Sequence, residues 1–514
     1  MASPTTIVGS ALVVYFSWKL LSTPNSNARG LPTPPGPKPL PVIGNLLDAP
    51  KDFFWLTYDK WTKQYGDIVS INVFGQTIII LGSLQATNDL FEKRSSIYSD
   101  RVRLPMIMEL MGYEWNVALM RYTNRWRRHR RTFHQYFNQN AVHVYQPVQL
   151  REARALVQGI LDDPTDFYAH LKHTFTSMSM DITYGIQIDA KNDNYEETAE
   201  LILDSIIQTA VPGGYLVDLM PILKYVPSWF PGASFKRKAA KWRVLGARFV
   251  NEPFNAVKAA LSRGEHVRPS MVSSLLQKLP EEHDDEDEEI IKNTAGLTYA
   301  AGADTTLSAL ETFFLAMVLY PDVQKRAQAE LDRVVGSSRL PGFDDRKDLP
   351  YLNAIVKETM RWQPVTPLAV VHSPIADDVY KGYFIPKGSI IFGNSWTILQ
   401  DPIAYPNPKE YKPERFLKDG QLDPNVQDPD LAAFGFGRRI CPGRHFSNST
   451  LFIFISSILS VFDITPPLDE QGKPIQLSPE MTTGLISHPS PFKCTIKPRS
   501  VEAVGVIREP LVEE

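Results

Sequence analysis

The feature that most constrains the fold is a stretch of about thirty residues, 290–320, that is dominated by apolar and small side chains. It ends at Pro321, a residue that cannot continue a helix. As a helix it would be roughly 45 Å long, and it is too apolar to lie on a protein surface. Asp304 and Glu311 fall in its middle, and charged residues there disfavour a membrane span. We therefore predict a long helix buried within the protein.

A second constraint lies near the C-terminus, where residues 434–443 read FGFGRRICPG. A cysteine such as Cys441 binds a metal only as a thiolate, which requires positive charge and amide donors nearby. Arg439 supplies the charge, while Gly437 and Gly443 allow the backbone to fold closely under the sulfur. The alternative is an inert buried cysteine, which is the usual state of a lone free thiol.

The pattern Phe-x-x-Gly-x-Arg-x-Cys-x-Gly resembles the haem-ligand loop of the cytochrome P-450 family, the haem-thiolate monooxygenases. The resemblance implies that Cys441 is the axial ligand of the iron of haem b, iron protoporphyrin IX. It also implies that Arg439 and Phe434 lie at the cofactor. The implied fold is mainly α, a helical haem domain with a small β region and an N-terminal membrane anchor.

The long apolar stretch carries a second pattern of this family. Residues 301–306, AGADTT, resemble its oxygen-activation motif, in which small residues allow a close approach to the haem face. Asp304 and Thr305, an acid beside an alcohol, are then the catalytic pair that relays protons to bound dioxygen.

A basic segment near residue 126 resembles the propionate-binding helix of the family. Trp126 and Arg130 stand at i and i+4 and therefore share one helix face. Partly buried propionates require cationic and N–H donors of this kind. His372 falls where the family often has another propionate contact. The remaining cations of the segment form either a docking face for an acidic electron donor or a solvated cluster: Arg127, Arg128 and Arg131.

An architectural motif follows the long stretch. Glu358 and Arg361 stand at i and i+3 of a predicted helix, and Arg415 follows downstream. The set resembles the buried Glu-Arg-Arg triad of the family. Removing one partner of such a buried network typically costs ~3–5 kcal/mol, because a charge is left uncompensated.

Length and composition limit the domain organisation. The 514 residues contain no Gly/Ser-rich linker or repeat, which predicts one catalytic domain at 46–514 after an anchor at 1–22 and a proline-rich strap at 23–45. A formal net charge of -3 argues against nucleic-acid binding. The two cysteines, Cys441 and Cys494, are too few for a disulfide framework, and we interpret Cys494 as structural.

The N-terminal segment predicts the location of the protein. Residues 7–18 carry no charge, and they form a short anchor at best. A cleaved signal peptide is the alternative, but no Lys or Arg precedes the apolar run, whereas Lys19, Arg29 and Lys38 follow it. This charge order predicts a single-pass protein of the endoplasmic reticulum membrane with a cytosolic catalytic domain.

Two further segments stand out by composition. Residues 219–235 form an apolar turn with Trp229 and Phe230, which could dip into the membrane surface and admit lipophilic substrates. Residues 281–289 are almost entirely acidic, and we predict a solvated loop whose carboxylates complement the start of the following helix.

The resemblance therefore implies a monooxygenase that inserts one oxygen atom of O2 into a lipophilic small molecule. Electrons come from NADPH through a separate NADPH-cytochrome reductase, with cytochrome b5 as a possible second donor, and the enzyme is expected to be a monomer. The C-terminal tail resembles fungal secondary-metabolism members, whose substrates include terpenoids and polyketides. Two other classes stay open, a haem-thiolate isomerase or dehydratase that does not use O2, and a non-catalytic haem sensor.

Overall fold

The computed structural model describes residues 30–188, 194–210, 213–282 and 284–509. The predicted anchor at 1–22 and the start of the strap lie outside these residues. The chain divides into two compact units, and the predicted catalytic domain contains residues of both. Unit 1 comprises residues 30–102, Leu368–Ile398 and Phe436–Arg439, and unit 2 comprises the described residues of Arg103–Pro367, Leu399–Gly435 and 440–509.

Helices make up most of the described chain. The longer α-helices are α1 Phe54–Tyr65, α2 Asn124–Phe137, α3 Gln146–Asp162, α4 Phe167–Tyr184, α5 Asn194–Thr209, α6 Ser234–Ser262, α7 Met271–Gln277, α8 Asp285–Leu319, α9 Pro321–Val334, α10 Pro350–Trp362, α11 Arg444–Val461 and α12 Val501–Arg508. Shorter α-helices are Leu84–Thr87, Ser95–Tyr98, Leu216–Leu219, Ser395–Leu399 and Asp430–Ala433, and single turns of other helix types include Pro105–Leu110, Pro221–Tyr225 and Gly437–Arg439.

The strands are short and form small sheets. They are β1 Ile68–Val73, β2 Gln76–Leu81, β3 Asp378–Tyr380, β4 Tyr383–Ile385, β5 Ile390–Gly393, β6 Leu417–Lys418, β7 Gln421–Leu422, β8 Phe462–Thr465 and β9 Thr495–Pro498. This mainly helical architecture with a small β region confirms the predicted fold class.

Unit 1 is organised around strand β2. It pairs antiparallel with β1, where Ile71 lies opposite Ile78, and parallel with β5, where Ile79 lies opposite Ile391. Ile79 and Ile80 are completely buried although their side chains point to opposite faces of the sheet. A strand covered on both faces requires a continuous apolar run, and residues 78–81 supply one.

The proline-rich strap lies along unit 1. Its described residues contain no helix, as predicted from the fixed proline backbone. Ser70 in β1 donates from its backbone N–H to the Pro35 carbonyl at 2.9 Å and from its hydroxyl to the Pro34 carbonyl at 2.5 Å. Phe384 in β4 donates to the Pro32 carbonyl at 2.8 Å. The strap is therefore part of the folded unit.

Helix α8 forms the core of unit 2, as the apolar stretch predicts. It packs against α2, α4, α6 and α11, and Phe313 and Phe314 are completely buried. Among the described helices, α8 alone is long and apolar enough to cross a membrane, and 78% of its apolar window is buried inside the protein. Gly302 permits the close packing with α4, because a Cβ there would stand 2.5 Å from the Ser179 hydroxyl.

The start of α8 corrects one prediction. The helix begins at Asp285 rather than near residue 290, and Asp284 caps it by accepting a hydrogen bond from the Asp287 N–H at 2.9 Å. Carboxylates in the first turn are stabilised by the positive end of the helix dipole. The prediction of a solvated loop is therefore wrong for the second half of residues 281–289.

Ion pairs with α2 also stabilise the acidic start of α8. Arg128 pairs with Glu286 and Asp287, and Arg125 pairs with Glu289 at 2.8 Å. The acidic and basic runs, which the sequence analysis treated separately, therefore neutralise each other. Neither alternative given for Arg128, a docking face or a solvated cluster, anticipated these pairs.

Candidate functional site

The cysteine loop of residues 434–443 begins with a close backbone contact. Phe434 is buried, and its carbonyl accepts a hydrogen bond from the Cys441 N–H at 2.8 Å. The thiol of Cys441 is half-buried immediately before α11, whose N-cap is Gly443. A helix N-terminus favours negative charge, so the position suits a thiolate.

Burial and the neighbouring groups shift the pKa of the Cys441 thiol in opposite directions. Burial raises the pKa of the thiol, whereas the Gly443 backbone N–H and the charges of Arg130 and Arg444 lower it. Burial also lowers the pKa of the Arg130 guanidinium, and the charge of Cys441 raises it. The neighbouring groups therefore offset only part of the desolvation cost of a thiolate here.

The cations next to the thiol form no ion pairs among the described residues. Arg130 and Arg444 are half-buried, and neither forms an ion pair or side-chain hydrogen bond within the residues that the structure describes. Trp126, one turn before Arg130 on α2, is buried. Guanidinium groups that are partly desolvated and not compensated are suited to an anionic ligand. The residues present therefore fit a haem with its two propionates.

In unit 1, the predicted residues Arg439 and His372 are fixed by one backbone segment. Arg439 donates from Nε to the Ser99 carbonyl at 2.8 Å, and His372 shares a 2.7 Å hydrogen bond through Nδ1 with the Tyr98 carbonyl. Arg101 donates to the carbonyls of Val370 and Val371, both at 2.7 Å. Segment 98–101 therefore brings together the guanidinium groups of Arg101 and Arg439 and the imidazole of His372.

The surroundings of His372 determine both its charge and the nitrogen that carries its proton. Burial first, and then the charges of Arg101 and Arg439, lower the pKa of His372 well below its usual range. Because a carbonyl can only accept, the proton of the neutral ring is on Nδ1, and Nε2 is an acceptor. The ring stacks on Phe91 with centroids 4.0 Å apart.

Glycine is required at position 437 for a different reason from the predicted one. Its φ is +56°, and a Cβ there would stand 2.0 Å from the Phe91 carbonyl oxygen. A Cβ on Gly443, by contrast, would meet the Cys441 sulfur at an ordinary 3.9 Å. The strict requirement for glycine in this loop is therefore the contact with Phe91 rather than the approach to the sulfur.

The oxygen-activation motif lies in the middle of α8. The Thr305 hydroxyl donates to the Ala301 carbonyl at 2.7 Å, and Ala301 and Thr305 share an accessible face at i and i+4. Within the described residues, no hydrogen bond joins Asp304 to Thr305, and consecutive helical residues do not face each other. Gly302 faces Ser179 on α4.

Asp304 instead faces a residue that the sequence analysis did not identify, His488. Its Nε2 lies 3.5 Å from Asp304 Oδ2, and its Nδ1 lies 2.8 Å from Glu311 Oε2. Burial lowers the pKa of His488, but its interactions with Asp304 and Glu311 outweigh it and raise that pKa to about 10. No local sequence signal reveals these pairs, since 177 residues separate His488 from Glu311.

The architectural triad forms as predicted. Arg361 donates from Nε and Nη2 to the two oxygens of Glu358 at 2.7 and 2.9 Å, and Arg415 donates to Glu358 at 3.1 Å. The side chains of Glu358 and Arg361 are completely buried. The backbone N–H of Lys412 donates a further bond to Glu358 at 2.7 Å.

A helical core, a lone thiol at a helix N-terminus and uncompensated cations beside it define a haem-thiolate protein. Comparison with known proteins identifies the family. The family model described as Cytochrome P450 matches residues 34–496. The chain belongs to the cytochrome P450 family.

Curated fungal relatives agree over nearly the whole chain. Cytochrome P450 monooxygenase COX1 of Coprinopsis cinerea is 43% identical over 99% of this chain and 100% of its own length. Cytochrome P450 monooxygenase COX2 of the same fungus is 44% identical over 92% of this chain and 90% of its own length. Tryptamine 4-monooxygenase of Psilocybe cyanescens is 44% identical over 91% of this chain and 93% of its own length.

These findings confirm the predicted class of enzyme. The protein is a haem-thiolate monooxygenase that acts on a small molecule. Its cofactor is haem b, and O2 and NADPH, through a reductase, are the co-substrates. A redox partner and a small-molecule substrate follow from the family.

Proposed function

We propose that the enzyme is a membrane-bound monomer that inserts one oxygen atom of O2 into a lipophilic secondary metabolite such as a terpenoid or polyketide. One observation supports the site assignment above all others. Within the described residues, Cys441 has the only thiol that lies next to a helix N-terminus and next to two guanidinium groups without an ion pair. That arrangement suits a thiolate ligand together with an anionic cofactor.

The residues proposed to hold haem b divide by chemistry. Cys441 would be the thiolate ligand of the iron, and the Phe434 carbonyl fixes its backbone. Trp126 and Arg130 of unit 2 would bind the propionates. For unit 1, the family resemblance assigns His372 to a propionate and Arg439 to the cofactor loop. The assignment of His372 rests on the resemblance alone, because its neutral ring already donates through Nδ1 to the Tyr98 carbonyl and its Nε2 is an acceptor.

When bound, haem b supplies the redox chemistry that activates O2. The protein controls proton delivery at this step. The Thr305 hydroxyl can turn from the Ala301 carbonyl towards the open face of α8 and donate its proton there. Asp304, whose carboxylate is partly accessible, would supply the replacement proton after turning towards the Thr305 side of α8.

Substitution of each cysteine tests the ligand. Cys441→Ser should lose the red-shifted absorption of the reduced carbonyl complex, because an alcohol does not donate equivalent charge to iron. Cys494→Ser is the matched control and should keep it, since Cys494 has no such surroundings. The opposite pattern in the two variants would remove Cys441 from the site.

Apolar side chains support the proposed substrate class. Leu104, Met106, Ile107 and Met111 are buried in a Met-rich segment that we assign to the substrate pocket rather than to ordinary core, because Met adapts to irregular apolar ligands. Candidate terpenoids and polyketides should shift the spin state of the purified enzyme on binding. Tryptamine, named in one relative, serves as the polar comparison, and a shift with tryptamine alone would overturn the lipophilic assignment.

Membrane association is proposed from two segments. The first is the anchor at 1–22, and the second is the exposed apolar turn in which Tyr225 and Trp229 are 72% and 77% accessible. Deletion of residues 1–27 should shift the protein towards the soluble fraction with its haem spectrum intact, and Trp229→Ser in the truncated protein should reduce the remaining vesicle binding. Loss of the haem spectrum on truncation would place the N-terminus in the folded core.

The proposed location is the endoplasmic reticulum membrane, with the catalytic domain in the cytosol. NADPH-cytochrome reductase is the proposed electron donor, with cytochrome b5 as a second one. Arg127 and Arg131 on α2 are the cations that we assign to this docking, since Arg128 is paired with α8. Charge reversal of Arg131 should raise the KM for reductase without changing substrate binding.

A further inference from the structure

Three turns of α8 are bonded to the C-terminal loop that carries His488. Asp304, Ser308 and Glu311 stand at i, i+4 and i+7 and therefore share one face. The Ser308 hydroxyl donates to the Ser487 carbonyl at 2.6 Å, and Glu311 Oε2 lies 2.8 Å from His488 Nδ1. Ser308 and Glu311 are buried.

The backbone of His488 is fixed independently of its ring. Its N–H donates to the Thr482 hydroxyl at 2.9 Å, and its carbonyl accepts from the Thr482 N–H at 2.7 Å. The adjacent Ser487 donates to the Val365 carbonyl at 2.9 Å. The imidazole is therefore a fixed part of unit 2 rather than a mobile surface group.

The second ring nitrogen of His488 faces an oxygen that is not satisfied. Asp304 Oδ2 is buried and forms no hydrogen bond within the described residues, and His488 Nε2 lies 3.5 Å from it. A neutral imidazole has one N–H and can donate to only one of the two carboxylates. The imidazolium can donate to both, so the two acids favour the charged ring.

His488 is also the only cation paired with either acid. Within the described part of the chain, neither Asp304 nor Glu311 has another ion-pair partner. The remaining titratable group near Glu311 is Tyr168 on α4, whose hydroxyl accepts a hydrogen bond from the Phe492 N–H. Burial raises the pKa of Tyr168 above its usual value, so the phenol is neutral.

We propose that His488, held by Glu311, is a positioning residue that orients the Asp304 carboxylate for proton delivery. The separation of 3.5 Å leaves Asp304 attracted to the imidazolium but not locked to it, so the carboxylate can turn towards the Thr305 side of α8. The inference rests on the proposed role of Asp304 in the relay. It adds the residue that controls the orientation of this acid.

The first experiment is the variant His488→Gln, which keeps an N–H donor and removes the charge. Haem content and the substrate-induced spin shift should match those of the wild type. NADPH turnover should fall by roughly tenfold to a hundredfold, as expected when a reacting group is misplaced, which is the direction expected for Asp304→Asn. His170→Gln is the control, since His170 bonds only to a backbone carbonyl at the surface.

A second measurement does not depend on activity. The chain has 10 histidines, few enough to resolve by NMR in protein labelled with 15N-histidine. In the wild type, His488 should stay protonated until the pH rises towards its pKa of about 10. Glu311→Gln removes one of the two carboxylates, so the ring should lose its proton at a lower pH.

The two measurements are then compared in the variant Glu311→Gln. NADPH turnover should be full at low pH and fall as the pH rises, with the midpoint at which the His488 resonance titrates. Unchanged NADPH turnover in folded His488→Gln, or different midpoints in Glu311→Gln, would overturn the proposal. If His488→Gln does not fold, the comparison in Glu311→Gln decides. Failure of the relay itself would appear separately, as normal turnover and coupling in Asp304→Asn.

Discussion

Unit 2 contains two buried clusters of acidic and cationic side chains that differ in how completely they are hydrogen-bonded. In the first, Glu358 accepts from Arg361, Arg415 and the Lys412 N–H, and the side chain of Arg361 is completely inaccessible. In the second, His488 lies between Asp304 and Glu311, and one oxygen of Asp304 has no hydrogen bond among the described residues.

This difference in hydrogen bonding predicts that the first cluster serves stability and the second serves the reaction. A saturated network has one low-energy arrangement, and any change leaves a buried charge uncompensated. An incompletely bonded carboxylate has access to a second arrangement, which a proton carrier requires. We therefore expect substitutions in the Glu358 cluster to affect folding and substitutions at Asp304 to affect the reaction.

The largest effect should come from Glu358→Ala. It leaves Arg361 and Arg415 as buried, unpaired cations, which typically costs ~3–5 kcal/mol. The expected product is insoluble or haem-poor protein, measured by soluble yield, haem content and thermal unfolding. Glu252→Ala is the matched control, because Glu252 forms an exposed pair with Arg248. A soluble Glu358→Ala variant with full haem content and normal stability would contradict the architectural role.

The second prediction concerns the incompletely bonded cluster. Asp304→Asn should slow NADPH turnover, because an amide does not carry the proton; general acid–base groups typically contribute ~100- to 10,000-fold. Thr305→Ala should instead keep NADPH consumption while diverting it from product to hydrogen peroxide. Both variants should bind haem and substrate as the wild type does. Unchanged turnover and coupling in both would exclude the pair from the mechanism.

A third prediction uses the cations next to Cys441. Arg130→Gln removes one proposed propionate contact, and loss of a supporting group around a metal centre typically costs ~10- to 100-fold in affinity or activity. Haem dissociation, measured by transfer to apomyoglobin, should therefore accelerate in Arg130→Gln. Arg131→Gln is its control, since Arg131 is the adjacent exposed cation. Equal dissociation rates in the two variants would contradict the assignment.

The smallest effect should come from Arg128→Ala. Its pairs with Glu286 and Asp287 are partly exposed, and such pairs contribute only ~0.2–1 kcal/mol. The free energy of unfolding should therefore fall slightly, and the difference from the wild type should shrink at high salt. A loss of stability as large as that in Glu358→Ala would show that the exposure of an ion pair does not determine its contribution to stability.

Local patterns predicted the long buried helix and the triad. The apolar stretch that became α8 and the i, i+3 pair of Glu358 and Arg361 depend on neighbouring residues. The residue His488 was missed because its partners lie on α8, far away in sequence. The acidic start of α8 was misjudged for the same reason, since its stabilising arginines come from another helix.

Composition also could not reveal why particular glycines are required. Gly437 and Gly302 match family motifs, yet each is constrained by an atom of a distant segment, the Phe91 carbonyl and the Ser179 hydroxyl. Only three-dimensional packing identifies such neighbours. The proposed roles at the haem therefore rest on family resemblance together with charge and burial around each residue.

The parallel pairing of β2 with β5 has a consequence for biosynthesis. Roughly 300 residues separate the two strands, so at typical ribosomal rates on the order of 15–60 s pass between their syntheses. During that time the hairpin of β1 and β2 presents an apolar edge, which is a template for aggregation. Slow translation or a shortage of chaperones should therefore lower the yield of enzyme without altering the activity of the molecules that mature.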